Sequence, residues 1–364
     1  MSTPPPRPGI LDIAPYIGGL SELPDIDKVI KLSSNESALG PSPAAKEAYL
    51  DVADHLHRYP DSSASELRNA IAREYGIESE KIICGNGSDE LISLLVSAYA
   101  GPGDEVLYSR HGFLVYPIAA YAAGATPVEA PEKNLKTDID AILNAVSEKT
   151  RVVLIANPNN PTGSYLDNDE MERLANGLPE RTLLVIDAAY AEYVTAGDYT
   201  AGDGLAATRN NVVMTRTFSK IHGLSALRLG WAYGPAGVID VLNRTRGPFN
   251  VSAAAQAAGI AAISDSAFTA RARADNETWR QWTADQLNGL GLTVHPSVAN
   301  FLLVGFPLEP ARCAAAADAF LKQNGIIVRR VDNYGLADCL RISIGTEEEM
   351  QALVKALTRF MSAA

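Results

Sequence analysis

The sequence predicts an α/β fold, with a large domain built on a mostly parallel central sheet covered by helices and a smaller α+β domain. Short apolar runs with β-branched residues alternate with helical segments over most of the chain, which is typical of βαβ units. After about residue 235 two long helices come first and strands follow them, which indicates a second unit. At about 150 residues per domain, 364 residues suffice for both.

Residues 1–40 are predicted to form an N-terminal arm, because they carry scattered Pro and Gly and few periodic apolar positions. The large domain is predicted over residues 41–248. Its predicted strands are the apolar runs at 82–84, 105–107, 125–128, 151–155, 183–186 and 212–215. Its predicted helices lie at 44–57, 65–75, 89–100, 113–123, 139–146 and 168–176.

The small domain is predicted over residues 249–364, packed with part of the arm. Its predicted helices lie at 253–263, 268–287, 311–324 and 347–360. Its predicted strands lie at 293–294, 301–304, 326–328 and 340–344.

Composition indicates an enzyme-sized protein that does not bind polyanions. Forty-three acidic residues against 31 basic ones give a net charge of −12, which disfavours nucleic acid and anionic membrane surfaces as partners. No apolar run approaches the roughly 20 residues that span a bilayer, and residues 1–8 have no apolar signal core. Cys84, Cys313 and Cys339 are far apart and without metal-ligand spacing. We therefore expect a cytoplasmic protein without a metal site.

Polar residues follow two neighbouring apolar runs of the predicted sheet. The segment ANPNNPTG at 156–163 follows the first run, and Asp187 ends the second. Ligands of open α/β sheets bind at this carboxyl edge, where an unpaired carboxylate needs a cation or a protonated ring. A stiff turn at 156–163 and a helix-capping role for Asp187 are the structural alternatives.

Two further segments place cations at strand ends. In TRTFSK at 215–220, hydroxyl residues surround Lys220, and Arg228 follows eight residues later, which is consistent with a phosphate cradle beside a nucleophilic amine. Arg341 lies inside the apolar run CLRISIG, and a buried arginine must meet an anion or an internal acid. A surface lysine and an internal ion pair remain open alternatives.

The order of these residues resembles the fold-type I, pyridoxal-phosphate-dependent aminotransferases. Within that family the chain is most similar to the histidinol-phosphate aminotransferases. Six segments in order carry that similarity, and together they cover essentially the whole chain: GILDIAPY at 9–16, LSSNE at 32–36, HRYP at 57–60, HGFLVY at 111–116, TFSK at 217–220 and GIIVR at 325–329.

The resemblance implies a pyridoxal 5′-phosphate site with Lys220 as the lysine linked to the cofactor and as the proton shuttle. Asp187 would hold the pyridine nitrogen protonated, so that the ring acts as an electron sink. Asn160 and Tyr190 would donate hydrogen bonds to the ring 3′-oxygen. Phe113 would stack on the ring, where many relatives carry tyrosine.

The resemblance also implies where the cofactor phosphate binds. Ser88 and the backbone near Asp89 would receive it at a helix N-terminus. Thr217, Ser219 and Arg228 would close the cradle from the other side. Tyr59 is implied as a donor from the neighbouring subunit of a homodimer with shared active sites; a buried aromatic residue at a turn before Pro60 is the alternative.

For the substrate, the resemblance implies that Arg341 binds a carboxylate or a phosphate ester and that Arg329 is a second anion contact. Tyr16, Asn35 and Asn300 would complete the pocket. Ala38, after Asn35-Glu36-Ser37, stands where relatives commonly have proline, which loosens the arm. With Arg228, the two arginines would make a locally positive pocket within an acidic chain.

The activity implied is transamination of histidinol phosphate with glutamate or 2-oxoglutarate, through imidazole acetol phosphate, in histidine biosynthesis. An aromatic amino-acid aminotransferase is the first alternative, because an arginine can also receive an amino-acid carboxylate. A phosphothreonine decarboxylase is a second alternative on the same scaffold. A periplasmic solute-binding protein and a catalytically silent regulator are the alternatives from other classes.

Overall fold

The structure, a computed structural model, describes residues 4–24, 26 and 28–363. Residues 1–3 of the predicted arm, Asp25 and Asp27 within it, and Ala364 of the predicted small domain lie outside the described residues. The arm contains a 3-10 turn at Ile10–Asp12 and the short strand β1 (Ile30–Lys31). Strand β1 pairs in parallel with residues 326 and 327, so the end of the arm joins the small domain.

The large domain is organised around a seven-stranded sheet. In chain order its strands, with the β5–β6 hairpin that lies outside the sheet, are β2 (Ile82–Gly85), β3 (Glu105–Ser109), β4 (Thr126–Ala130), β5 (Glu132–Lys133), β6 (Lys136–Thr137), β7 (Thr150–Ala156), β8 (Leu183–Asp187), β9 (Val212–Thr217) and β10 (Gly230–Tyr233). The order in space is β2-β10-β9-β8-β7-β3-β4, and only β10 runs antiparallel to its neighbours. Every residue of β8 is buried, as expected for a strand covered on both faces.

Eight helices belong to the same region of the chain: α1 (Pro43–Asp51), α2 (Ser65–Tyr75), α3 (Ser88–Tyr99), α4 (Val115–Ala123), α5 (Ile139–Ala145), α6 (Asn168–Gly177), α7 (Asp203–Thr208) and α8 (Ala236–Thr245). Local sequence explains several of their ends. Ser42 caps α1 ahead of Pro43, and Asp167 with Glu170 forms a capping box on α6. Gly76 ends α2 in the left-handed conformation.

The small domain follows two further helices, α9 (Ala253–Ser264) and α10 (Ser266–Gly289). Its remaining elements are β11 (Thr293–Val294), β12 (Phe301–Gly305), α11 (Ala314–Gln323), β13 (Ile326–Ile327), β14 (Arg329–Arg330), β15 (Cys339–Ser343) and α12 (Glu347–Ala363). Strands β11, β12, β15 and β14 form an antiparallel sheet in that order. A separate apolar core lies between this sheet and α10, α11 and α12.

The predicted fold class is confirmed: a mostly parallel sheet covered by helices, joined to a smaller α+β unit. Helix α9, however, packs against α1 and α2, and its buried side chains belong to the core of the large domain. The division at 248/249 therefore stays a proposal, and this packing favours a boundary near residue 265. None of the described helices is both long and apolar enough to cross a membrane.

Candidate active site

The carboxyl ends of three adjacent parallel strands meet at one edge of the large sheet. Strand register places Ala156 of β7 beside Asp187 of β8, and Asp187 beside Thr215 of β9. A cavity of about 200 Å³ opens there, bounded on the other side by the arm and the small-domain sheet. Of the predicted site residues, those that line it are Tyr16, Asn35, Ser88, Asp89, Phe113, Asn160, Asp187, Tyr190, Thr217, Ser219, Lys220, Arg228, Arg329 and Arg341.

Asp187 lines this cavity and has one carboxylate oxygen without a hydrogen-bond partner in the described part of the chain. Its Oδ2 accepts a hydrogen bond from the Tyr116 hydroxyl at 3.0 Å, whereas Oδ1 has no hydrogen-bond partner among the described residues. Burial raises the pKa of this carboxyl to about 6, against the opposing effect of the Tyr116 hydrogen bond. A buried anionic oxygen without a donor is costly, so the site fits a ligand that brings a protonated ring nitrogen.

A phosphate-sized anion has a prepared position at the start of α3. The twelve-residue helix directs its unpaired N-terminal amides and its dipole toward the cavity, where Ser88, Thr217 and Ser219 add hydroxyl groups. The Arg228 guanidinium lies between Ser219 Oγ, at 3.3 Å, and Asp89 Oδ2, at 3.2 Å.

Two glycines keep this cradle open. A Cβ on Gly230 would lie 2.4 Å from the amide nitrogen of Ser88, and a Cβ on Gly87 would lie 2.5 Å from Arg228 Nη2. Gly87 also has a φ of 83°, which L side chains rarely adopt. The chain therefore leaves backbone amides and a guanidinium uncovered at the position where an anion would bind.

Lys220 lies between the sheet edge and the arm. Its Nζ donates to the carbonyl oxygen of Ser34 at 3.3 Å and lies 5.5 Å from the centre of the Tyr190 ring. The Tyr190 hydroxyl in turn accepts a hydrogen bond from Asn35 Nδ2 at 3.0 Å. The amine is thus held by a single weak acceptor in the same cavity that Asp187 lines, an arrangement that leaves it available to react.

Arg341 and Arg329 face each other across the antiparallel pair β14–β15. Arg341 is buried and donates to Asn160 Oδ1 at 2.6 Å and to the Ser33 carbonyl oxygen at 2.8 Å. Arg329 donates to the Ile17 carbonyl oxygen of the arm at 2.8 Å. Neither pairs with a carboxylate within the described part of the chain, and burial lowers the pKa of Arg341. Two cations placed opposite each other favour an anionic ligand between them.

Two predicted site residues do not line the cavity. Asn300 lies behind it and donates to the carbonyl oxygens of Asn35 and Glu36, at 3.0 and 3.2 Å, so it supports the loop that carries Asn35. Tyr59 is 82% exposed and stacks on Phe249 with ring centres 4.5 Å apart. In the single chain Tyr59 is therefore exposed, and its role toward a partner subunit stays a prediction.

The sequence reasoning missed Tyr116 and a buried pair behind the Phe113 loop. His111 Nδ1 lies 2.8 Å from Glu132 Oε2, and the backbone amide of His111 donates to the other carboxylate oxygen at 3.0 Å. Both Tyr116 and His111 lie in the segment HGFLVY, in which the family resemblance implied a role only for Phe113. A polar side chain within an apolar helical pattern was the available signal for Tyr116.

Arg330 is adjacent to Arg329 in the sequence, but its side chain points elsewhere. It pairs with Asp332 and does not line the cavity. Alternation along β14 thus separates the two arginines, as expected for neighbours in a strand.

Fold and site together define an aminotransferase scaffold, and the comparisons agree. Residues 27–357 match the family model described as aminotransferase class I and II, so the chain belongs to that family. The histidinol-phosphate aminotransferase of Rhodospirillum centenum is 59% identical over 98% of both chains. That of Paramagnetospirillum magneticum is 55% identical over the full length of both. Within the class, the chain is a member of the histidinol-phosphate aminotransferase family.

A solved structure supports the same assignment at lower identity. The histidinol-phosphate aminotransferase from Sinorhizobium meliloti, in complex with pyridoxal-5′-phosphate, is similar with a TM-score of 0.86 and 29% identity. The similarity covers 92% of each chain. The resemblance drawn from six sequence segments, and the fold-type I architecture that it implied, are therefore confirmed.

Proposed function

We propose that this protein transfers the amino group between histidinol phosphate and 2-oxoglutarate, with glutamate and imidazole acetol phosphate as the other pair, in histidine biosynthesis. The cofactor is pyridoxal 5′-phosphate. The observation that carries the substrate assignment is the pair Arg329 and Arg341, two cations that face each other beside the cavity without a carboxylate partner among the described residues. Full-length relatives of that name, at 53–59% identity, support it.

The residues at the sheet edge fit the cofactor. Asp187 would receive the ring nitrogen on its open oxygen, and Phe113 would cover a ring face. Asn160 and Tyr190 would hydrogen-bond the 3′-oxygen. The phosphate would bind at the start of α3, with Ser88, the backbone near Asp89, and the far-side groups Thr217, Ser219 and Arg228 around it. When bound, pyridoxal phosphate supplies an electron sink that stabilises negative charge at the substrate α-carbon.

Lys220 acts first as the attachment point for the cofactor and then as the acid–base group. Its amine would take the proton from the substrate α-carbon and hold it for return to the cofactor, and it would move a proton in the opposite direction in the second half-reaction. Asp187 stays ionised when a protonated nitrogen faces it, because the opposite charge offsets the cost of burial. No other described lysine or histidine lines the cavity.

Arg341 and Arg329 bind the anionic end of the substrate. A phosphate ester accepts forked hydrogen bonds from a guanidinium, and its double negative charge suits two arginines. Tyr16 and Asn35 of the arm close the pocket over the substrate, and Asn300 supports the Asn35 loop from behind. Arg341 can also receive the carboxylate of glutamate in the second half-reaction, so one pocket serves both amine donors.

A second copy of the chain completes the proposed enzyme. A groove of about 450 Å³ runs along α1 and residues 223–227, and the apolar side chains of Tyr49 and Leu50, which are exposed in the single chain, line it. Exposed apolar surface of this kind marks a protein–protein interface. Tyr59 follows α1 in the chain and is exposed, so it is accessible to the phosphate cradle of a partner subunit.

The homodimer proposal predicts complementation between two damaged chains. A Lys220→Ala chain and a Tyr59→Ala chain should each show low activity at limiting cofactor. Hybrids assembled from both should recover activity, because one site then combines an intact Lys220 with an intact Tyr59 from the partner. Hybrids that stay as inactive as the parents would contradict shared sites, and a monomer in sedimentation analysis would contradict the dimer itself.

The location proposed is the cytoplasm. All three cysteines are free, and Cys84 and Cys339 are buried in the structure, which is typical of a reducing compartment. Burial raises the pKa of both thiols to about 12, so neither is a ready nucleophile.

The reaction class is tested at Lys220. Hydride reduction of the loaded protein should fix the cofactor on the peptide that carries residue 220, and Lys220→Ala should lose at least about 1,000-fold in turnover. Lys355→Ala, on the exposed face of α12 and away from the proposed dimer groove, is the matched control for removing an amine. Cofactor fixed elsewhere, or normal turnover by Lys220→Ala, would contradict the mechanism.

A further inference from the structure

Tyr116 is a fully buried residue of α4 whose hydroxyl group reaches the sheet edge. Its Oη donates to Asp187 Oδ2 at 3.0 Å, and Asp187 Oδ1 is left open. A hydroxyl group that occupies one carboxylate oxygen decides which oxygen remains for a ligand. Tyr116 therefore occupies one oxygen of a carboxylate that lines the cavity, and the other oxygen is left without a partner among the described residues.

The ring of Tyr116 is fixed by its packing. It meets Phe113 edge to face, with ring centres 6.0 Å apart and planes at 87°, and Tyr108 at 6.2 Å and 68°. Gly112 packs so closely that a Cβ there would lie 3.2 Å from Tyr116 Cδ2. One side chain thus touches both the carboxylate at the sheet edge and the aromatic ring that faces the cavity.

The Tyr116 hydroxyl group is one of several groups that set the pKa of Asp187. Burial and the nearby Asp89 raise its pKa, whereas Tyr116, the Ala189 backbone and Lys220 lower it. Burial and the adjacent carboxylate raise the pKa of Tyr116 well above its usual value, so the phenol keeps its proton and always donates. A constant donor on one oxygen stabilises the ionised carboxylate without competing for the other oxygen.

We propose that Tyr116 is a positioning residue that orients the Asp187 carboxylate, and keeps it ionised, toward the ring nitrogen of the cofactor. The proposal rests on the proposed function, because it needs a pyridine ring at this edge. Tyr116 touches neither substrate nor cofactor in this account and acts only through Asp187, with its ring supporting Phe113.

Tyr116→Phe is the direct test, because it retains the ring and its packing and removes only the donor. Pyridoxal phosphate affinity, measured by visible absorbance titration, should fall about 10- to 100-fold, the range expected for a hydrogen bond to a charged group. Tyr108→Phe, whose hydroxyl bonds Glu129 at 3.2 Å, is the matched control and should bind the cofactor as the wild type does. Denaturant unfolding of both variants checks that the fold is retained.

A double-mutant cycle separates positioning from a general loss of structure. In an Asp187→Ala background, Tyr116→Phe should change cofactor affinity by less than about twofold, because the carboxylate through which it acts is gone. Equal losses in both backgrounds would overturn the proposal, and so would unchanged affinity in the single variant. A wild-type protein that binds no pyridoxal phosphate would overturn the proposed function as well, which distinguishes the two failures.

Discussion

Replacing Asp187 by asparagine should change how the stability of the cofactor-free protein depends on pH. The buried carboxyl has its pKa raised from the ordinary 3.8 to about 6, with burial as the main cause. Between about pH 4 and pH 6 the unfolded chain is ionised at this position while the folded chain holds a proton. The free energy of unfolding therefore falls as pH rises through that window, and the cost is complete above it.

The size of the effect follows from the two pKa values. At about 1.4 kcal/mol per pKa unit, the ionised carboxylate costs about 3 kcal/mol at pH 8 and about half of that at pH 5. The asparagine amide leaves its own buried donor unpaired, which costs about 1–3 kcal/mol at every pH. Because this cost is the same at pH 5 and pH 8, it drops out when the free energies of unfolding at the two pH values are subtracted. Asp187→Asn should therefore gain about 1.4 kcal/mol on the wild type between these two pH values.

The assay is urea unfolding of cofactor-free protein at both pH values and at one protein concentration, since a dimer makes stability concentration-dependent. Asp169→Asn, an exposed position in the first turn of α6, controls for loss of a carboxylate. Adding pyridoxal phosphate should then raise the free energy of unfolding more for the wild type than for Asp187→Asn, because only the wild type gains a protonated partner for its carboxylate. Equal pH dependence in wild type and Asp187→Asn would contradict the raised pKa of the buried Asp187 carboxyl.

Three further predictions concern the cradle, the core and the substrate pocket. Gly230→Ala should weaken pyridoxal phosphate binding at least about tenfold in an absorbance titration, because its Cβ would crowd the Ser88 amide, whereas Gly237→Ala, with nothing within 4 Å, should not. Glu192→Ala should lower the free energy of unfolding by about 3–5 kcal/mol, because Arg216 would stay buried without its 3.1 Å partner. Glu148→Ala, which breaks an exposed pair, should cost less than about 1 kcal/mol; both are measured by urea unfolding. Arg341→Lys should raise the KM for histidinol phosphate about 10- to 100-fold and leave cofactor affinity within about threefold, because lysine lacks the forked donors; an equal loss of both would contradict its assignment to the substrate.

Much of the fold was predictable because strands and helices here have strong local patterns. The helix predicted at 65–75 is α2 with the same bounds, and each predicted strand of the large sheet is present within two residues at either end. The predicted helix at 44–57 instead ends at Asp51, and a 3-10 turn at Ala53–His55 follows it. No helix-ending glycine or proline marks that break in the sequence.

Strand β10 and helix α8 were missed. Strand β10 has only four residues and runs antiparallel between β2 and β9, so it is not part of a βαβ unit that the sequence pattern would predict. Its position depends on the register of two strands that are distant in sequence. Local apolar runs carry no information of that kind.

Most of the candidate site was predictable because parallel strands end at a common edge, and the residues there are polar after long apolar runs. Tyr116 was not, because its partner Asp187 is 71 residues away and the residue lies in an apolar helix. Asn300 was expected in the pocket because the family resemblance implied it. Its amide instead donates to two backbone carbonyl oxygens of the arm. These contacts depend on how the arm folds back, which the sequence around Asn300 does not indicate.

The most direct test of the central claim is a single-turnover comparison of amine donors on the cofactor-loaded protein. The visible spectrum is recorded, and histidinol phosphate, tyrosine or phosphothreonine is then added while conversion of the cofactor to its amine form is followed. Histidinol phosphate should convert the cofactor with the highest rate per unit concentration, and Arg341→Lys should slow this donor most. Faster conversion by tyrosine, or no conversion by histidinol phosphate, would contradict the assignment of the two facing arginines to a phosphate ester.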